Sequence, residues 1–143
     1  MAAAILLIIP LLIWSSIASA QNVGTVQTYA GSVKLERAGH PVVVTTRMAV
    51  LAGDRFTTGP GGRLIIRLND QSTLDLYESG EMVLNEQVVR PNGQAITRVS
   101  LLSGVLHSNV HETAGGPAPD FEVRTPNGVA ADRGTDFDTS YHP

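Results

Sequence analysis

The sequence predicts an all-β domain. Three features point there: short runs of alternating apolar and polar residues, clusters of turn-forming residues between them, and no long stretch of helical period outside the N-terminus. Side chains on a strand switch face at every residue, so each alternating run describes a ribbon with one buried and one wetted face.

The first segment, residues 1–20, is read apart from that domain. It holds no charged residue, runs apolar from Ile5 to Ile13 and ends in Ala18-Ser19-Ala20, the layout of a secretory signal peptide cleaved before Gln21. The alternative is an uncleaved anchor, since about 20 apolar residues just span a bilayer. Pro10 and the small-residue end favour cleavage, although no Lys or Arg precedes the apolar run. Residues 21–143 then form one β domain outside the cytoplasm, long enough to bury a real core.

The elements follow in order. In "GSVKLER", Val33 and Leu35 oppose Lys34 and Glu36; in "GGRLIIRLND", Leu64, Ile66 and Leu68 oppose Arg63, Ile65 and Arg67. "STLDLYE" sets Leu74 and Leu76 against Thr73, Asp75 and Tyr77, and "FEVRT" sets Phe121 and Val123 against Glu122 and Arg124. Turn signals separate the runs at Ala52-Gly53-Asp54, Gly59-Pro60-Gly61-Gly62, Asn69-Asp70-Gln71, Pro91-Asn92-Gly93 and Pro126-Asn127-Gly128. Asn92-Gly93 is the strongest hairpin signal among them. "TAGGPAPD", residues 113–120, reads as a flexible connection. About eight to ten short strands result. A sandwich, a barrel and a short solenoid all fit, because the runs led by Gly31, Gly61, Gly80 and Gly104 are alike but irregularly spaced.

Composition narrows function. The net charge of −3 does not suit a nucleic-acid binder, which needs a clustered basic face. The absence of cysteine excludes disulfides, thiol chemistry and thiolate zinc sites. His107 and His111, four apart on a strand, lie about 13 Å from each other, too far to share an ion. "SLLSGVL" lacks the strand-to-helix elbow of a serine nucleophile, and "GPGG" leads into a strand where a phosphate loop needs a helix. Asp132, Asp136 and Asp138 lack the spacing of a calcium loop; Asp136 and Asp138 flank Phe137, so the carboxylates are expected to face water and the ring the core. No catalytic, metal-binding or cofactor-binding residue is assigned.

Together these residues resemble the FecR domain of bacterial envelope proteins. The likeness spans residues 29–139 and rests on Gly31-Ser32-Val33, Gly53-Asp54, Thr58-Gly59, Asp70-Gln71-Ser72, Thr125-Pro126 and Arg133-Gly134-Thr135-Asp136-Phe137. Gln71 stands where the family usually has glycine, and Asp132 where it commonly has an apolar residue. The resemblance implies a short antiparallel, solenoid-like β domain, with a β-sandwich as the alternative, and no enzymatic activity. Gly53, Asp54, Thr58, Gly59, Asp70, Ser72, Thr125, Pro126, Arg133, Gly134, Thr135 and Phe137 are then structural signature residues, Arg133 being anchored by a carboxylate or strand-end carbonyls.

The expected function is a non-catalytic binding or scaffolding module, periplasmic or secreted, whose partner is an envelope protein or cell-wall polysaccharide. The alternative is a fragment of a transmembrane sigma-factor regulator that relays a signal from a TonB-dependent iron-siderophore receptor. The cytoplasmic segment and second small domain of that setting have no counterpart in these residues, so the layout looks more like envelope proteins led by a signal peptide.

Overall fold

The computed structural model describes residues 20–143, and the signal-peptide expectation lies outside the described residues. Twelve strands follow one another: β1 (Asn22–Ala30), β2 (Val33–Arg37), β3 (His40–Val42), β4 (Ala49–Leu51), β5 (Arg55–Thr58), β6 (Arg63–Leu68), β7 (Thr73–Leu76), β8 (Glu81–Val89), β9 (Ala95–Asn109), β10 (Asp120–Thr125), β11 (Gly128–Asp132) and β12 (Asp136–Tyr141). No helix occurs among the described residues, and none is long and apolar enough to cross a membrane. The fold is all-β, as expected. The count exceeds the eight to ten anticipated, partly because β3 and β4 have three residues each, too few to display an alternation.

The strands make one curled sheet, a half-barrel, in the order β3-β2-β5-β8-β9-β7-β6-β1-β4. The 15-residue β9 joins its two halves. Its first part pairs with β8, from Ala95 opposite Val89 to Ser103 opposite Glu81, and its last part pairs with β7, from Leu106 opposite Leu76 to Asn109 opposite Thr73. Between them stands Gly104, at φ +87°, whose Cβ, had it one, would lie 2.6 Å from the Cα of Gly80. Only glycine permits both that backbone and that approach. The Pro91-Asn92-Gly93 turn closes the β8–β9 hairpin as expected, with Arg90 N–H donating to the Gln94 carbonyl at 2.8 Å.

The second edge of β9 carries β10, parallel, over Ile96–Ser100, and β12, antiparallel, over Gly104–Asn109; among the described residues β11 pairs with β10 alone. The parallel pair requires a crossover, which residues 110–119 supply. The inward positions of the alternating runs fill the core: Leu64, Ile66, Leu74, Leu76, Phe121 and Val123 are all buried, together with Phe56, Met82, Leu84, Leu101 and Leu106. At roughly 25 cal/mol per Å² of apolar surface, this burial is the main term holding a domain without disulfides.

Candidate functional site

The signature residues fall in separate turns, and the polar side chains other than Arg133 are engaged within the fold. Gly53, at φ +90°, turns the chain so that Asp54 points inward, where it is 1% exposed. Arg37 grips its carboxylate with both arms of the fork, Nε donating to Oδ1 at 2.8 Å and Nη2 to Oδ2 at 2.7 Å. Leu51 N–H donates to the same carboxylate at 2.9 Å, and Arg37 Nη2 donates also to the Ala49 carbonyl at 2.9 Å. The hydrogen bond to Asp54 holds the Arg37 guanidinium above the usual arginine range, against the burial that pulls it down. Arg37 ends β2, near one end of the sheet order, while Ala49 and Leu51 belong to β4, at the other end. The ion pair therefore clasps the two ends of the curl.

Thr58, at 3% exposure, donates through Oγ1 to the Tyr77 carbonyl at 2.6 Å and accepts from Gly80 N–H at 2.9 Å; Gly59 N–H donates to the Ser32 carbonyl at 2.9 Å. The Thr58 bonds hold β5 against the chain between β7 and β8, and the Gly59 bond holds its end against the turn between β1 and β2. In the next corner Asp70 accepts from Ser72 N–H at 3.0 Å and from Ser72 Oγ at 2.9 Å, and buried Ser72 accepts from His111 N–H at 2.9 Å. Gln71 adopts φ +73°, the left-handed backbone that explains why glycine suits this position.

Thr125-Pro126 begins the exposed turn between β10 and β11, with Thr125 Oγ1 donating to the Gly128 carbonyl at 3.3 Å. The Arg133-Gly134-Thr135 corner differs from expectation. Arg133 is exposed, and among the described residues its guanidinium makes no hydrogen bond or ion pair, so it is not the anchor. Asp132 organises the corner instead: its carboxylate accepts from Arg133 N–H at 2.5 Å, from Thr135 N–H at 3.1 Å and from the Thr135 hydroxyl. Burial raises the Asp132 carboxyl pKa, but the bonds from Thr135, Arg133 and Gly134 outweigh it and leave the group below its ordinary value. Gly134 lies against Glu112, whose Oε2 would be 2.8 Å from a Cβ at that position.

Phe137 packs edge-on against Phe121, ring centroids 5.8 Å apart, but is half-buried rather than fully enclosed. Asp136 and Asp138 are exposed as expected, yet neither is merely solvated: Asn109 donates to Asp136, and His107 Nδ1 lies 2.6 Å from Asp138 Oδ1. His107 is on a strand, and no group of three or more metal-binding side chains occurs among the described residues.

Sequence reasoning missed the arginine partners. Beyond Arg37, Arg63 pairs with Asp75 and lies over the Tyr77 ring at 5.3 Å, and Arg98 joins Asp120 and Glu122 across β9 and β10. The hydrogen bond from Arg98 holds Asp120 below the usual carboxylate range, with burial opposing. Asn85, Glu86, Arg98, Ser100 and Arg124 line a shallow polar concavity of about 480 Å³ on the outer face of β8, β9 and β10. Chemically, such a face can exchange hydrogen bonds with a polar polymer or a protein surface.

A family model described as FecR protein matches residues 54–142. No curated protein matches the chain. No solved structure matches it either.

Proposed function

Because the chain belongs to the FecR family, we propose that it is a non-catalytic binding or scaffolding module of the bacterial envelope, exported by its first 20 residues. One observation carries the reading: the carboxylates and hydroxyls of the signature turns serve the fold itself, Asp54 in the Arg37 clasp, Thr58 at Gly80, Asp70 at Ser72 and Asp132 at Thr135. Function then belongs to strand faces and loop edges, among them the polar concavity on the outer face of β8, β9 and β10. Its partner is an envelope protein or a cell-wall polysaccharide. Crosslinking in intact cells, followed by identification of the attached material, tests the proposal. Capture of one envelope protein or glycan across salt conditions supports it, and a module that crosslinks to neither counts against it.

The family match also supports a second reading, in which these residues are a segment of a transmembrane sigma-factor regulator relaying a signal from a TonB-dependent receptor. The flanking DNA separates the two: in-frame coding sequence for a cytoplasmic segment upstream favours the regulator.

A further inference from the structure

Among the described residues the sheet has four outer strands, and three of them are protected. β3 carries Pro41, which has no N–H to offer a neighbour. The open side of β4 is capped by side chains, Arg37 on the Ala49 carbonyl and Asp54 on the Leu51 N–H. β12 presents Asp136 and Asp138, and charge along an edge opposes pairing. β11 has one charge, Asp132 at its last position, whose carboxylate is turned into the Thr135 corner. Its stretch Gly128-Val129-Ala130-Ala131 is uncharged and free of proline, and Val129 is 60% exposed.

The register shows which backbone groups are unused. Two residues, Pro126 and Asn127, connect Thr125 to Gly128, so the closing pair exchanges both of its hydrogen bonds. Alternation makes Val123–Ala130 and Phe121–Asp132 the next hydrogen-bonded pairs. The N–H and C=O of Val129 and Ala131 therefore point away from β10, and among the described residues nothing meets them.

We infer that the open edge of β11 pairs antiparallel with β11 of a second copy of this chain, about a twofold axis beside Ala130. That register sets Val129 opposite Ala131 of the other copy, twice over, and all four groups on each edge find partners. A large side chain meets a small one, and no like charges stand opposite each other. Glu122 is already bonded to Arg98 and Arg124 of its own copy, so the charges bear on the sense of pairing and not on its strength: an antiparallel junction keeps like charges out of one row. Arg124 neighbours Val129 and Glu122 neighbours Ala131, so each row across the junction runs from Arg124 of one copy to Glu122 of the other. An edge this short, with small side chains, has no pockets to select a foreign peptide, whereas a second copy always presents the matching row. The contact is small, so the dimer forms where the protein is concentrated.

The test uses the absence of cysteine from the full chain. On the twofold axis, the Ala130 pair is of the non-hydrogen-bonded kind, with Cα atoms about 4.5 Å apart, within the reach of a disulfide. Ala130→Cys in the full-length chain, mildly oxidised and run on a non-reducing gel, is expected to give a covalent dimer; Ser140→Cys, on the β12 edge, is the control. Adding Val129→Pro removes one outward N–H per copy without touching the β10 pairing, and should lower the crosslinked fraction about tenfold. Adding Ala131→Lys, which leaves every backbone donor in place, should lower it too. A crosslink no stronger than that of Ser140→Cys overturns the inference, as does one that survives both second substitutions. The result is independent of the envelope proposal, which concerns other partners.

Discussion

Removing the carboxylate of Asp54 should open the half-barrel where its ends meet. Asp54 is 1% exposed and accepts three hydrogen bonds, two from Arg37 and one from Leu51 N–H, while the Arg37 side chain retains 28% of its exposure. Breaking one side of a fully buried ion pair costs about 3–5 kcal/mol, and solvent at Arg37 recovers part of that, so Asp54→Ala is expected to cost about 2–4 kcal/mol. Domains of this size unfold with about 5–15 kcal/mol, and each kcal/mol moves the midpoint by about 3–5 °C, so Tm should fall by about 6–20 °C. The assay is thermal and urea unfolding of wild type, Arg37→Met, Asp54→Ala and the double variant. A coupling energy of about 2 kcal/mol is expected, and the double variant should be hardly worse than Asp54→Ala, since the stranded guanidinium is gone. Hydrogen exchange should accelerate first at Leu51, whose N–H loses its acceptor. A coupling below about 0.5 kcal/mol, within the scatter of independent sites, would refute the clasp.

Four further outcomes follow from the same geometry. Gly104→Ala combines a left-handed backbone with a Cβ placed 2.6 Å from Gly80, and should destabilise by about 3 kcal/mol or more in urea unfolding. Gln71→Gly relieves φ +73° at the price of a freer unfolded chain, for a net gain of about 0.5–1 kcal/mol; a loss of stability would mean that the Gln71 side chain holds the corner. Asp120 has a depressed folded pKa, so its stabilisation is complete above the unfolded carboxyl value of about 3.9 and fades as pH falls through the folded value. Arg98→Gln should therefore flatten the acid limb of a stability–pH curve below about pH 4. N-terminal sequencing of the exported protein should begin at Gln21.

What could be read in the sequence was local. The alternations over 63–68 and 120–125 are visible because one face of each strand meets the core and the other water, whereas in 73–76 the polar Asp75 is itself buried beside Arg63; the Asn92-Gly93 turn is visible because glycine there takes φ +88°. The parallel junction of β9 with β10 was not visible, since nothing in either strand distinguishes a parallel neighbour from an antiparallel one. The ion pairs were hidden for a related reason: Arg37 and Asp54 are 17 residues apart, Arg63 and Asp75 are 12, and Arg98 and Asp120 are 22. The Asp132 corner could have been found. An aspartate three residues before a threonine is a side-chain-capped turn by its chemistry alone, and the three nearby carboxylates drew attention away from it.

The placement of the clasp bears on why this signature contains a carboxylate at all. A buried charge is poor value for stability compared with an apolar residue of the same size, so its retention calls for another cause. In this chain the Arg37–Asp54 pair also occupies the Ala49 carbonyl and the Leu51 N–H, which no apolar replacement can do. An apolar pair would keep the packing but uncover β4, giving a sheet with two reactive edges, β4 and β11. Growth would then continue from both sides of each copy, where a single open edge stops at a dimer. Replacing Arg37 and Asp54 together by methionine and leucine should thus lower solubility more than it lowers stability. Light scattering at rising concentration, set beside the urea midpoint, measures both; a soluble double variant with a normal midpoint would show that the pair has no part in guarding the edge.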